Sequence, residues 1–219
     1  MLGGFAVVLV VAFLVIGISS CSRASYYQLA LDNLSEARFY MKQDESETLK
    51  VQFYSGMREE PYAINGVAEK TTAFGIINVD PKNKILDGLT TLEGTLKVGD
   101  ELIPVTLEKN PYDKNFGCDV AKLVDASKSM SLTLTVGTNT IVFNLENCMP
   151  TEAISWESAL KIAVDNLTPK IKKAGKFECY VKIISDLVKN TGSYWYIQFT
   201  TQKGETFFCV VDSGGKVIS

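Results

Sequence analysis

The chain has 219 residues, 46% of them hydrophobic and 21% charged, proportions of a folded globular protein and not of a disordered one. Its formal net charge of -3 argues against nucleic acid as a partner, because that binding rests on Lys and Arg neutralising phosphates. Histidine is absent. That removes Ser-His-Asp and Cys-His catalysis, histidine-ligated zinc and the commonest general base near neutral pH. Catalysis by carboxylates or lysine stays open, but the absence shifts the expectation towards a non-enzymatic binding or structural role with no cofactor and no metal.

Met1 to Ser22 carries no charged side chain, and the apolar run from Phe5 to Ile18 is shorter than the about 20 residues of a membrane span. It has the length of a signal-peptide core, and it ends in Ser19-Ser20-Cys21, small residues before a cysteine. This ending resembles the lipobox of bacterial lipoproteins. The resemblance implies a signal peptide and lipobox over residues 1–21, a diacylated Cys21 as mature N-terminus, and anchorage at the extracytoplasmic face of the cell membrane; two acyl chains give stable anchoring. Met1-Leu2-Gly3-Gly4 lacks the Lys or Arg that normally precedes such a core. An uncleaved anchor with Arg23 as its first flanking charge is the alternative, and a buried core segment is a third.

Residues 24–37 read as an amphipathic helix with Tyr26, Leu29, Ala30, Leu34 and Ala37 on one side. Arg38 to Lys42 and Leu49 to Tyr54 read as a hairpin around the acidic turn Asp44-Glu45-Ser46-Glu47. Arg58-Glu59-Glu60-Pro61-Tyr62 is the most distinctive polar stretch, and Arg58, Glu59 and Tyr62 are candidate recognition-loop residues; a strand exit stopped by Pro61 is the alternative. Thr71 to Val79 is a further strand. A Gly99-Asp100 loop sets Leu96 opposite Ile103 and Leu92 opposite Leu107. A Thr138-Asn139 loop sets Val136 opposite Ile141, Leu134 opposite Phe143 and Leu132 opposite Leu145. Each hairpin has one apolar and one polar face, so residues 24–150 are expected to form a β-sandwich. Leu132 to Phe143 resembles the closing hairpin of secreted immunoglobulin-like sandwiches.

A boundary is expected near Met149-Pro150-Thr151, with a second domain over 151–219. Ser155 reads as the N-cap of a helix carrying Trp156, Leu160, Ala163, Val164 and Leu167 at helical spacing, ended or kinked by Pro169. Strands over Glu178 to Leu187, Ser193 to Thr201 and Glu205 to Asp212 follow as a meander, and Gly214-Gly215 turns the chain again. Ile154-Ser155-x-x-x-Ala159-Leu160-x-x-Ala163, then Tyr194-Trp195-Tyr196-Ile197-Gln198-Phe199, then the closing stretch from Phe207 to Ile218, resemble the PepSY family. The resemblance implies a helix-plus-antiparallel-sheet (PepSY/cystatin-like) domain without catalytic residues. It also implies a protein partner, a peptidase that the domain contacts or restrains.

Cys118, in a loop beginning Asn110-Pro111, and Cys148, after the last sandwich strand, are a candidate disulfide in an exported chain. A Gln202-Lys203-Gly204 loop sets Phe199 opposite Phe207, Ile197 opposite Cys209 and Trp195 opposite Val211. Cys179 then falls on the other neighbour of the central strand, about 10 Å from Cys209 at about 4.8 Å per strand. That is beyond the roughly 7 Å reach of a disulfide. The expectation is a lipid-anchored extracytoplasmic binding or regulatory protein; the alternative is a structural or adhesive cell-envelope protein with the sandwich as its contact surface.

Overall fold

Alternating apolar and polar residues drive most of this chain into strands: β7 (Met130–Val136) buries Met130, Leu132, Leu134 and Val136 and leaves the residues between them at least partly open. A computed structural model describes residues 25–120, 124–125, 127–185 and 192–219. The apolar leader and Cys21 lie outside the described residues. A short helix α1 (25–32) leads into β1 (Leu34–Glu45), β2 (Leu49–Glu59) and β3 (Thr71–Pro81). Then come β4 (Thr91–Val98), β5 (Glu101–Lys109), β6 (Phe116–Asp119), β7 and β8 (Asn139–Asn147). Helix α2 (Trp156–Ala174) precedes β9 (Phe177–Ser185), β10 (Ser193–Thr201) and β11 (Thr206–Val211). Among the described residues no helix is long and apolar enough to cross a membrane.

The sheet runs β11-β10-β9-β1-β2-β3-β6-β5-β4-β7-β8, and a further β1–β8 pairing closes its last eight strands into an antiparallel barrel. Phe53, Phe116 and Phe143 fill the interior together with Leu49, Ile77 and Leu96, all essentially inaccessible. Eight strands enclose a space just wide enough for side chains, so the barrel is solid. A second core lies where α2 crosses β9–β11 and buries Ala159, Leu160, Ala163, Val164, Leu167 and Ile171. Ala30, Ala37 and Met41 belong to that second core as well.

This corrects the expected architecture of an immunoglobulin-like sandwich followed by a separate helix-plus-sheet domain. A sandwich and a small barrel impose the same alternation on each strand, so periodicity does not distinguish them. The difference is made by β1. Its first part pairs in parallel with β9 through Leu34, Glu36 and Ala37, and its last part pairs with β8 through Lys42 and Gln43. A register shift between Arg38 and Tyr40 separates the two parts. Gly56 lies opposite Arg38, and a Cβ there would collide with the Ala37 carbonyl, so the two backbones approach only because that residue is glycine.

Three local differences follow. The first helix stops within residues 25–32, and Ala37 is in β1. The β7–β8 loop is Gly137-Thr138, so Leu134 faces Ile141 and Leu132 faces Phe143, a slip of two. Gly137 takes the positive φ of 61° that the turn needs, and a slip of two keeps the same side chains inside. Helix α2 continues past Pro169 to Ala174, with Ser155 accepting the Ser158 N–H as its cap. The β4–β5 and β10–β11 registers are as predicted.

Candidate binding cleft

Because β8 and β9 both leave β1, residues between Ala37 and Lys42 have, among the described residues, no strand beside them on the side away from β2. A cleft of about 520 Å³ opens there. Phe39, Tyr40 and Met41 of β1 line one side, the connection from Asn147 to Glu157 the other, and Ile183 and Trp195 the base. The size is that of a small-ligand or side-chain pocket.

Each wall is fixed by identifiable bonds. The Cys148 N–H donates to the Met41 carbonyl at 2.9 Å, which ties the β8 exit to β1. The Ile154 N–H donates to the Ser213 carbonyl at 2.9 Å, and the Trp195 indole N–H donates to the Ile154 carbonyl at 3.1 Å. The Trp156 ring stacks on Phe39 with centroids 5.4 Å apart, joining α2 to the barrel. Both tryptophans of the chain thus line this one cleft. Among the described residues Glu157 is the only charged one that lines it. Burial raises the Tyr27 phenol above its ordinary value, and the negative charge of Glu157 adds to that. Lys42 is turned away: it is buried, its Nζ donates to the Lys128 carbonyl at 2.9 Å, and burial holds its pKa down against the opposing charges of Glu146 and Asp125.

The expected recognition residues lie elsewhere: Arg58 and Glu59 end β2, and Tyr62 is in the β2–β3 loop. Glu59 is buried and its carboxylate accepts the N–H groups of Ala63 at 3.3 Å and Glu69 at 3.0 Å. Arg58 pairs with Asp119 at 3.2 Å and lies over the Phe74 ring. Tyr62 is 41% exposed, meets Tyr180 edge-on at 6.3 Å, and its hydroxyl accepts from Lys182 at 3.1 Å. Lys182 in turn lies 2.9 Å from Glu36, which also pairs with Arg38. The loop is therefore clamped across the junction of barrel and C-terminal sheet. Glu178, fully buried nearby, accepts from the Ser35 hydroxyl at 3.5 Å and has one oxygen without a hydrogen-bond partner among the described residues. Among the described residues no group of three or more Cys, Asp or Glu is arranged to hold a metal ion.

The structure leaves Cys118 and Cys148 as free thiols and does not bring them together: Cys118 packs against the barrel core and Cys148 against the second core. Cys179 and Cys209 are buried, free and on opposite sides of β10, facing Phe199 and Ile197.

The sequence marks Trp156 and Trp195 as inward-facing, but their convergence with Phe39 depends on β1 being shared by two strands. The stretch from Glu146 to Glu157, uncharged apart from three acids, is the one linear signal for this place. No family model, no curated protein and no solved structure matches this chain.

Proposed function

We propose that this chain is a non-enzymatic binding or regulatory protein, tethered through a lipid on Cys21 at the extracytoplasmic face of a membrane. It engages a protein partner through the cleft between barrel and α2. The observation that carries the reading is the convergence of Phe39, Met41, Met149, Trp156 and Trp195 on one open concavity. Apolar and aromatic walls with few polar groups are the usual chemistry of a ligand site, and methionine walls adapt to varied shapes. The PepSY-like residues name a peptidase as the first partner to try. The adhesive alternative draws less support: of the exposed large aromatics, Tyr112 is on the barrel, whereas Tyr40, Tyr62 and Phe208 lie at the cleft or about the C-terminal sheet.

Titration with Nile red, an uncharged apolar dye, tests the cleft. Saturable change in tryptophan emission is expected, and Met149→Glu should abolish it. Emission that never saturates, or that is unchanged in the variant, overturns the reading. Acyl labelling tests the tether: Cys21→Ala should remove the label, and a label that persists rules the lipid out.

A further inference from the structure

We infer that the occupant of this cleft is a basic peptide segment, an arginine or lysine side chain flanked by apolar residues on an extended strand of the partner. This rests on the cleft being the binding surface. Among the described residues, the one charged side chain that lines it is acidic, Glu157. Residues 146–157 contain Glu146, Glu152 and Glu157 and no Lys or Arg. All three side chains are exposed, and among the described residues none is in a salt bridge, while Lys42 acts on Glu146 at longer range. The facing residues Phe39, Tyr40, Met41, Ile183 and Trp195 are uncharged, and Lys42 beyond them is committed to the Lys128 carbonyl.

An anionic ligand would meet Glu152 and Glu157, which have no salt-bridge partner among the described residues. A cation on a long apolar stem meets the reverse: its methylenes lie along the Met and Trp walls while its head reaches the rim. Tyr40 and Trp156 line the cleft as aromatic residues to which such a head can be drawn, with arginine the better match. The N-terminus of α2 brings partial positive charge to the same place, but Ser155 already takes the Ser158 N–H and Glu157 stands in the first turn. The local balance is therefore acidic.

Trp156 and Trp195 make the test direct. Two blocked peptides without tryptophan, Leu-Arg-Leu-Arg-Leu and Leu-Glu-Leu-Glu-Leu, are titrated against the purified protein while its emission is followed. The arginine peptide is expected to saturate and to bind roughly tenfold or more tightly than the glutamate peptide, with affinity falling as salt is raised. Glu152→Gln and Glu157→Gln should each weaken it about two- to fivefold, the effect of losing one exposed ion pair. Equal affinities, or a preference for the glutamate peptide, overturn the inference. If Nile red saturates while neither peptide binds, the basic-peptide inference fails and the cleft reading stands. If the dye fails as well, both fall.

Discussion

The Lys182 ammonium lies 2.9 Å from the Glu36 carboxylate, and the two residues sit on neighbouring parallel strands, β9 and β1. Their pairing joins the C-terminal sheet to the strand that also closes the barrel. The Glu36 side chain is 3% exposed and that of Lys182 21%. Removing one partner therefore leaves a largely desolvated charge behind, and Glu36→Gln is expected to cost about 3 kcal/mol in urea unfolding.

The same pair sets an acid dependence. Burial alone would raise the Glu36 carboxyl, but Arg38 and Lys182 outweigh it and hold the pKa below its ordinary 4.5. A carboxyl depressed in the folded state stabilises above its unfolded pKa, and that stability is lost as pH falls through the folded value. The gap in urea midpoint between wild type and Glu36→Gln should be full at pH 7 and should shrink below pH about 4.5. A gap that stays constant down to pH 3 would contradict the assignment.

Gly56 and Gly137 should respond to alanine for different reasons. At Gly56 a Cβ meets the Ala37 carbonyl, which belongs to the backbone and yields poorly, so a loss of about 3 kcal/mol or more is expected. At Gly137 nothing lies within 4 Å, and only the positive φ of 61° is penalised, at about 1 kcal/mol. Thermal melts of the two variants would reverse the argument if Gly137→Ala were the more damaging.

Thiol chemistry should be slow in the native protein. Burial pushes Cys118 and Cys148 up to about 11, and it raises Cys179 and Cys209 as well. A thiol at that value is only about one part in ten thousand thiolate at pH 7, and the thiolate is the reactive form. Ellman's reagent is expected to modify these four only after unfolding, and mass mapping without reductant to find them unlinked. Rapid native labelling, or a Cys118–Cys148 peptide, would be the contrary result.

A fragment starting at Thr151 keeps α2 and β9–β11 but loses Ala30, Ala37 and Met41 from their core and the β1 edge paired with Cys179 to Val181. Expressed alone, it is expected to bind the dye ANS and to melt broadly. A sharp melt comparable to that of the full chain would show that β1 is dispensable to it.

How much of this was legible in the sequence follows the range of the interactions. Leu96 opposite Ile103 and Phe199 opposite Phe207 could be read directly, since a short loop fixes each register. The β7–β8 register slips because Gly137, and not Thr138, opens the turn. Barrel closure was not legible, since Lys42 meets Asn147 across more than a hundred residues and alternation says nothing of which strands meet. The cleft fails to appear for the same cause. Trp156, spaced as a helical core residue, and Trp195, spaced as a strand one, gain a shared role only once β8 and β9 part company on β1.

A strand held on both flanks also governs how the molecule bears load. Tension applied upstream of residue 25 enters through α1 and runs along β1. The hydrogen bonds to β2 lie across that axis, so when the opposing force acts beyond the far end of β1 a pull strains many of them together in shear. The parallel pairing to β9 draws the C-terminal sheet into the same resistance. Barrel and sheet would yield to such a force as one body, with β1 as its beam.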